Sequence, residues 1–323
     1  MFKIIKVLVI SVIVKSSFGQ QLPQYSQYLR NQFMINPGAA GVYDFLDVTI
    51  SGRMQWVGFT NAPLTSYASC TKVFSPAYQR ERYNPSLRIS TGPVKNPEIK
   101  TGKMKHAVGG QLVGDQYGAF NKIQLAGTYA IHLPLNRNYN LSFGTKLGIT
   151  NNSFLKERAV ALDANNDKTY VDYNLNQSPL NVMNLGAGLY LYSNKMFLGI
   201  SGDNFTKDQV RFGKGTANYN PMMHFNFTGG LKMLINKDFT ITPAFLVKYM
   251  PVVNPIMEES LQFEYKESIW VSASYRNRDA IVAMFGCNIS RRFKFGYSYD
   301  FSISKLKSYN SGGHELVLGV MLR

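Results

Sequence analysis

Near its C-terminus the chain reads FKFGYSYDFSIS, Phe293 to Ser304, and the side chains alternate without a break. Phe293, Phe295, Tyr297, Tyr299, Phe301 and Ile303 take one parity. Lys294, Gly296, Ser298, Asp300, Ser302 and Ser304 take the other. Successive side chains of a β-strand point to opposite faces, so this stretch predicts a strand with one greasy face and one polar face. The same period recurs from Leu46 onward. LSFGTKLGIT sets Leu141, Phe143, Leu147 and Ile149 against Ser142, Gly144, Lys146, Gly148 and Thr150. FNFTGGLKMLI and FTITPAFLVKY alternate in the same way, from Phe225 and from Phe239.

The spacing predicts strands at 46–59, 63–73, 104–114, 119–133, 139–150, 181–192, 195–203, 222–235, 238–250, 257–266, 268–276, 279–289, 292–303 and 313–322. That is about 14, an even number, and strands of this length suit a tilted membrane crossing. Polar turns such as LNRN from Leu135 and YSNK from Tyr192 join many of them. Longer irregular stretches near 151–180, 203–221 and 304–312 fall at every second connection, which predicts short turns at one end and long loops at the other.

A soluble sandwich also alternates, with its apolar face in a core. Three features point to lipid instead. The polar face is poor in large charged groups and rich in Gly, Ser, Thr and Asn, as in a confined lumen. Tyr190, Tyr192, Tyr249, Tyr275, Tyr297 and Tyr299 cluster near strand ends, as in an aromatic girdle. The first residues, MFKIIKVLVISVIVKSSFGQ, read as a secretory leader cut after Gly19. The expected organisation is a leader at 1–19, a periplasmic or lumenal segment at 20–45, and an all-β transmembrane antiparallel barrel at 46–323 in the cell outer membrane. No cysteine lies near the cut, so no lipid anchor is expected there.

The net charge is +16, yet no dense Lys/Arg run or basic helical stripe appears, so no nucleic-acid partner is expected. Outer-membrane lipid and an acidic polypeptide or anion remain as basic-surface partners. On lumen parity stand Arg53, Lys146, Lys232, Lys248, Arg276 and Lys294 against Glu264 and Asp300, which predicts a positive interior. Cys70 and Cys287 lack metal or redox spacing, and their pairing is left open.

No enzyme chemistry emerges. His106, His132, His224 and His314 are scattered, and no nucleophile elbow or phosphate loop stands in a strand–turn–helix context. FGKGTAN from Phe212 reads as a loop. Asp163, Asn165 and Asp167 are spaced like calcium-loop ligands, but Lys168 and Asn174 occupy the positions that need Gly and Glu. Glu258 and Glu259 point to opposite faces and form no dyad. No catalytic residue, cofactor or metal is expected.

Motifs at both ends carry a resemblance. QYSQYLRNQFMINPGAAG, Gln24 to Gly41, has a Ser-Gln-Tyr element (Ser26 to Tyr28), then Asn36, Pro37, Ala39, Ala40 and Gly41. QWVGFTNAPLTS follows from Gln55. The C-terminal part holds Tyr275 and Arg276, Gly296 to Asp300, and Gly313, His314 and Glu315. Together these resemble the PorP/SprF family of the type IX secretion system of Bacteroidetes, from end to end of the mature chain. Two features depart from the pattern: a polar insertion at 74–103, and an end in Leu322–Arg323 without a terminal aromatic. The resemblance implies a non-enzymatic outer-membrane barrel that works with other type IX secretion components. It supports secretion or surface attachment of a large adhesin-like cargo through the cargo's C-terminal domain. The alternative is a porin or diffusion channel with a basic lumen. Residues placed by parity or motif to contact a partner or the lumen are Tyr25, Gln27, Tyr28, Asn36, Pro37, Arg53, Lys232, Lys248, Arg276, Lys294 and Asp300.

Overall fold

Backbone N–H and C=O groups in hydrocarbon have no water to bond, so alternating segments that face lipid must satisfy one another. Here they do so in a closed antiparallel ring. This computed structural model describes residues 23–74, 99–159, 171, 180–207, 211–212, 221–251, 253–290 and 292–322. The leader, residues 75–98 of the insertion, the Asp163–Asp167 loop and the glycine-rich stretch beyond Phe212 lie outside the described residues.

The strands are β1 (Leu46–Met54), β2 (Leu64–Phe74), β3 (Lys105–Tyr117), β4 (Phe120–Pro134), β5 (Asn140–Phe154), β6 (Leu180–Tyr192), β7 (Met196–Asp203) and β8 (Arg211–Phe212). They continue as β9 (His224–Leu231), β10 (Met233–Leu234), β11 (Phe239–Met250), β12 (Val253–Tyr265), β13 (Ile269–Arg276), β14 (Ala280–Asn288), β15 (Phe293–Ser302) and β16 (Gly313–Leu322). Neighbours in the chain pair antiparallel, and β16 closes on β1 with Leu322 opposite Leu46. β8 only extends the pairing of β6. β9 and β10 are one stave broken at Lys232, opposite Thr242 and Pro243 of β11. A proline has no N–H for a ladder, which accounts for the break. The ring therefore has 14 staves.

Outward-facing residues are apolar, among them Ile50, Leu112, Leu125, Leu147, Leu189, Phe227, Phe285 and Phe301. Their inward neighbours are buried and mostly small or polar. In β15, Phe293 and Phe301 are exposed and Asp300 is buried, as the alternation predicts. Two expectations fail. Tyr190 and Tyr192 are not girdle residues: both are buried on the lumen side of β6, and Leu189 and Leu191 take the outward parity. The first strand ends at Met54 rather than at 59, and β12 begins at Val253 rather than at 257. Cys70 and Cys287 are both free thiols, on β2 and β14.

Leu46 and Leu322 define a terminal end of the ring. β5, β7 and β15 end, and β6, β9 and β16 begin, at the opposite, far end. Tight turns at 118–119 and 277–279 share that far end, so long loops do not occupy it throughout. β2 ends at Phe74 and β3 begins at Lys105, both at the terminal end.

The lumen is not empty. Residues 23–45 run through it, from Pro23 beside Lys248 near the far end to Leu46 at the terminal end. This plug makes three single turns of 3-10 helix, Tyr28–Arg30, Gln32–Met34 and Pro37–Ala39. Phe33 and Ala40 pack on Ala107 and Ala130, Tyr28 and Ile35 on Leu246, and Met34 on Tyr67 and Val113. The small wall residues leave the volume that the plug's larger side chains fill.

Leu147 lies midway along β5 with its side chain outward. Leu147→Arg is expected to cost about 2–4 kcal/mol, as for a cation on the lipid face at the bilayer midplane. It should appear as a lower urea midpoint for the heat-modifiable folded form. An unchanged midpoint would mean that this face does not meet hydrocarbon.

Candidate functional site

The Ser-Gln-Tyr element sits where the far ends of β1, β12, β13, β15 and β16 meet. Those strands present Arg53, Glu258, Arg276, Asp300 and Glu315 inward, all of them buried. Arg276 Nε bonds Glu258 Oε2 at 2.9 Å, and its Nη1 bonds Asp300 Oδ2 at 3.0 Å. Arg53 Nη2 bonds Asp300 Oδ2 at 2.8 Å, and its Nη1 lies 3.5 Å from Glu315 Oε2. Ser26 is inserted into this lattice. Its backbone N–H donates to Glu315 Oε2 at 2.7 Å, and its hydroxyl donates to Asp300 Oδ1 at 2.9 Å. The same hydroxyl oxygen accepts from Arg53 and Arg276. A buried ion pair is favourable only when its spare donors and acceptors are filled; Ser26 does this for Arg53, Asp300 and Glu315, while Glu258 Oε1 stays without a partner.

Gln27 and Tyr28 extend the contact. Gln27 Nε2 donates to the Glu315 carbonyl at 3.3 Å, and the Tyr28 hydroxyl shares a hydrogen with Ser260 at 3.2 Å. A Cβ on Gly296 would come within 2.0 Å of Gln27 Oε1, so the glycine of Gly-Tyr-Ser-Tyr-Asp makes room for the plug's glutamine. Tyr25 lies edge-to-face on Tyr67, with centroids 5.3 Å apart.

Asn36 and Pro37 dock on the opposite wall. Asn36 Oδ1 accepts from the Gly38 N–H at 2.8 Å and starts the third 3-10 turn. Its Nδ2 reaches the carbonyls of Leu189 and Ile200 at 3.0 and 3.3 Å. The wall is glycine where these residues press: a Cβ on Gly144 would lie 2.3 Å from the Pro37 carbonyl carbon, and one on Gly188 2.1 Å from Asn36 Oδ1. Gly41 has φ +74°, and a Cβ there would strike Ala107 Cβ at 2.2 Å, so both backbone and space demand glycine. Further along, His132 Nε2 donates to the Ala40 carbonyl at 2.8 Å, which leaves Nδ1 to accept from the Tyr192 hydroxyl at 2.8 Å. The Tyr190 hydroxyl donates to Gln32.

Toward the terminal end, Arg30 pairs with Glu264 at 2.8 Å and stacks over Trp270 at 5.1 Å. Lys232 lies 3.9 Å from the same carboxylate. Lys294 holds Asp47 at 2.7 Å, and Lys105 holds Asp44 at 2.8 Å. A cavity of about 140 Å³ opens here between the plug and the wall, bounded by Arg30, Phe33, Tyr43, Tyr190, Phe197 and Lys232.

Among the residues picked from sequence, Gln27, Tyr28, Arg53, Arg276 and Asp300 come together around Ser26. Lys248 stands beside them, Asn36 and Pro37 lie on the opposite wall, and Lys232 and Lys294 are apart at the terminal end. The expectation of a positive interior is corrected: Asp47, Asp115, Asp203, Glu258 and Glu315 also face inward or line the lumen ends. Most lumenal cations are paired with them. The parity that selected Glu264 also selects Glu258, and Leu316 and Leu318 outward make Glu315 inward; both followed from carrying the alternation to the strand ends.

The sequence matches the family model of the type IX secretion system membrane protein PorP/SprF over residues 17–320. No curated protein matches it. Among solved structures, it is similar to the Pseudomonas putida toluene transporter TodX, at 10% identity and TM-score 0.48, covering 91% of this chain and 94% of that one. It is similar to Omp33 of Acinetobacter baumannii, at 8% identity and TM-score 0.46, covering 88% and 99%. It is also similar to the translocator domain of the autotransporter NalP of Neisseria meningitidis, at 12% identity and TM-score 0.43, covering 92% and 95%.

Asp300→Ala leaves two buried guanidiniums without their shared carboxylate and is expected to destabilise the fold by about 3–5 kcal/mol, read from chemical unfolding. Gly188→Val should act differently. It leaves the ring closed but displaces the plug, so trypsin should cut the folded barrel after Arg30, which the wild type protects. A Gly188→Val barrel as resistant as the wild type would refute the tight docking of Asn36.

Proposed function

The chain belongs to the PorP/SprF family of type IX secretion system membrane proteins, and on that premise we propose that it supports secretion or surface attachment of a large, adhesin-like cargo protein. It is an outer-membrane β-barrel. On this reading it is non-enzymatic. Its partners are the cargo's C-terminal domain, other components of the secretion system, and the surrounding lipid.

The observation that supports a docking role over a conduit is the plug. Residues 23–45 are tied to the wall from Pro23 beside Lys248 to Asp44 on Lys105. A barrel filled in this way offers partners its two rims and its loops rather than a pore. A porin with a basic lumen, the other reading of the sequence, fits less well. Its attraction for anions would rest on unpaired cations along an open path, whereas Arg53, Lys105, Lys146, Arg276 and Lys294 are all engaged by carboxylates.

Deleting the gene separates the two. Comparing surface and secreted proteins with the parent strain should show loss of one large surface protein, with uptake of small solutes unchanged. An intact surface proteome together with altered permeability would overturn the proposal.

A further inference from the structure

Beside residues 23–25, near the far end of the lumen, lies a cavity of about 50 Å³. Tyr25, Lys122, Lys146, Asp203, His224 and Lys248 line it. We propose that this cavity is a binding site for a small monoanion, a carboxylate. The site stands apart from the secretion reading and does not depend on it.

The starting point is a set of cations that bond no carboxylate among the described residues. Lys146 is paired with Asp203. Lys248, a residue only 6% exposed, has no ion pair among the described residues: its ammonium meets the Pro23 carbonyl at 3.2 Å and the Gln24 amide oxygen at 3.3 Å. Both are neutral acceptors. Lys122 makes no side-chain hydrogen bond or ion pair among the described residues. Its partner across the β3–β4 ladder is Asp115, but Asp115 accepts from Thr65 at 2.6 Å instead. His224 Nδ1 is buried without a partner in the same cavity. A buried ammonium that bonds no carboxylate is unfavourable, and here buried Lys248, half-buried Lys122 and an imidazole nitrogen border one space.

Charge and shape select the ligand. Lys122, Lys146 and Lys248 against Asp115 and Asp203 leave one positive charge in excess. That excess belongs to the cavity: Glu258, Asp300 and Glu315, with Arg53 and Arg276, are not among its lining residues and bond one another or Ser26 instead. A single negative charge completes the site, whereas a phosphate group, with about −1.5 to −2 at neutral pH, oversupplies it. Lysines act as point charges and suit a carboxylate of free orientation. Asp203 Oδ1 also lacks a partner. A carboxylate at the end of a polypeptide carries an amide N–H close by that this oxygen can accept.

The test uses the full mature barrel in detergent, with calorimetric titration in chloride buffer at constant ionic strength. The probes are sodium acetate, N-acetylglycine and inorganic phosphate. Acetate and N-acetylglycine should bind saturably. Tighter binding of N-acetylglycine assigns a polypeptide terminus as the ligand, and equal binding assigns a free carboxylate. Lys122→Gln should weaken both about tenfold, the loss of one charge-assisted hydrogen bond. Lys72→Gln, on the exposed outer face of β2, should change nothing. Lys248→Gln should match Lys122→Gln. If Lys248→Gln fails to reach the heat-modifiable form, Lys122→Gln decides, because it loses no ion pair. No saturation with either carboxylate, or equal binding by Lys122→Gln and the wild type, overturns the site. Phosphate binding more tightly than acetate overturns the monoanion.

Discussion

A ring of 14 staves satisfies its backbone but not its interior. About eight staves give an interior that side chains alone can fill, and wider rings must hold water or something else. This chain resolves the constraint with its own residues 23–45. Much of what distinguishes its lumen follows from that choice. The wall glycines at 144, 188 and 296 are hollows for Pro37, Asn36 and Gln27. The inward tyrosines of β6 are a bed for the segment that descends past them. The buried charges of β1, β13, β15 and β16 are tolerable because Ser26 adds hydrogen bonds to each of them.

The ring itself was legible from sequence because lipid imposes one rule on every stave. Alternation at Phe293–Phe301 or Leu141–Ile149 is repeated wherever a strand crosses, and no local exception is cheap. The plug was legible only as one of two alternatives, a periplasmic or lumenal segment at 20–45, and its contacts with the wall were not, for a physical reason. Its 3-10 turns are three residues each, too short to impose a period. Its side chains answer to a wall built from residues 27 to 289 positions away.

Tyr190 and Tyr192 show the same limit from the other side. Near a strand end an aromatic residue suits either a girdle or a packed lumen, and the parity of Leu189 and Leu191 should have decided it. The lumenal charges were half read for a similar cause. Asp115 lies one position past its predicted strand, 104–114, whereas Asp203 and Glu258 fell within theirs and were left out of the parity count. The motifs that marked the family were visible only as separate strings. Folding brings Ser26 to within hydrogen-bonding distance of Glu315, 289 positions later.

That separation has a consequence for how such a molecule comes into being. Ser26 precedes the first stave, Arg53 belongs to that stave and Glu315 to the last. Contacts this distant in sequence form late, after the loop between them has closed. Until β16 lies against β1, the plug lacks its Glu315 anchor and the seam lacks the serine that bridges Arg53 to Asp300. Sealing the wall and locking the interior are thus one cooperative event. A chain truncated before its final strand would be left both unsealed and uncorked, so the finished barrel carries in its lumen a record that it was made to the end.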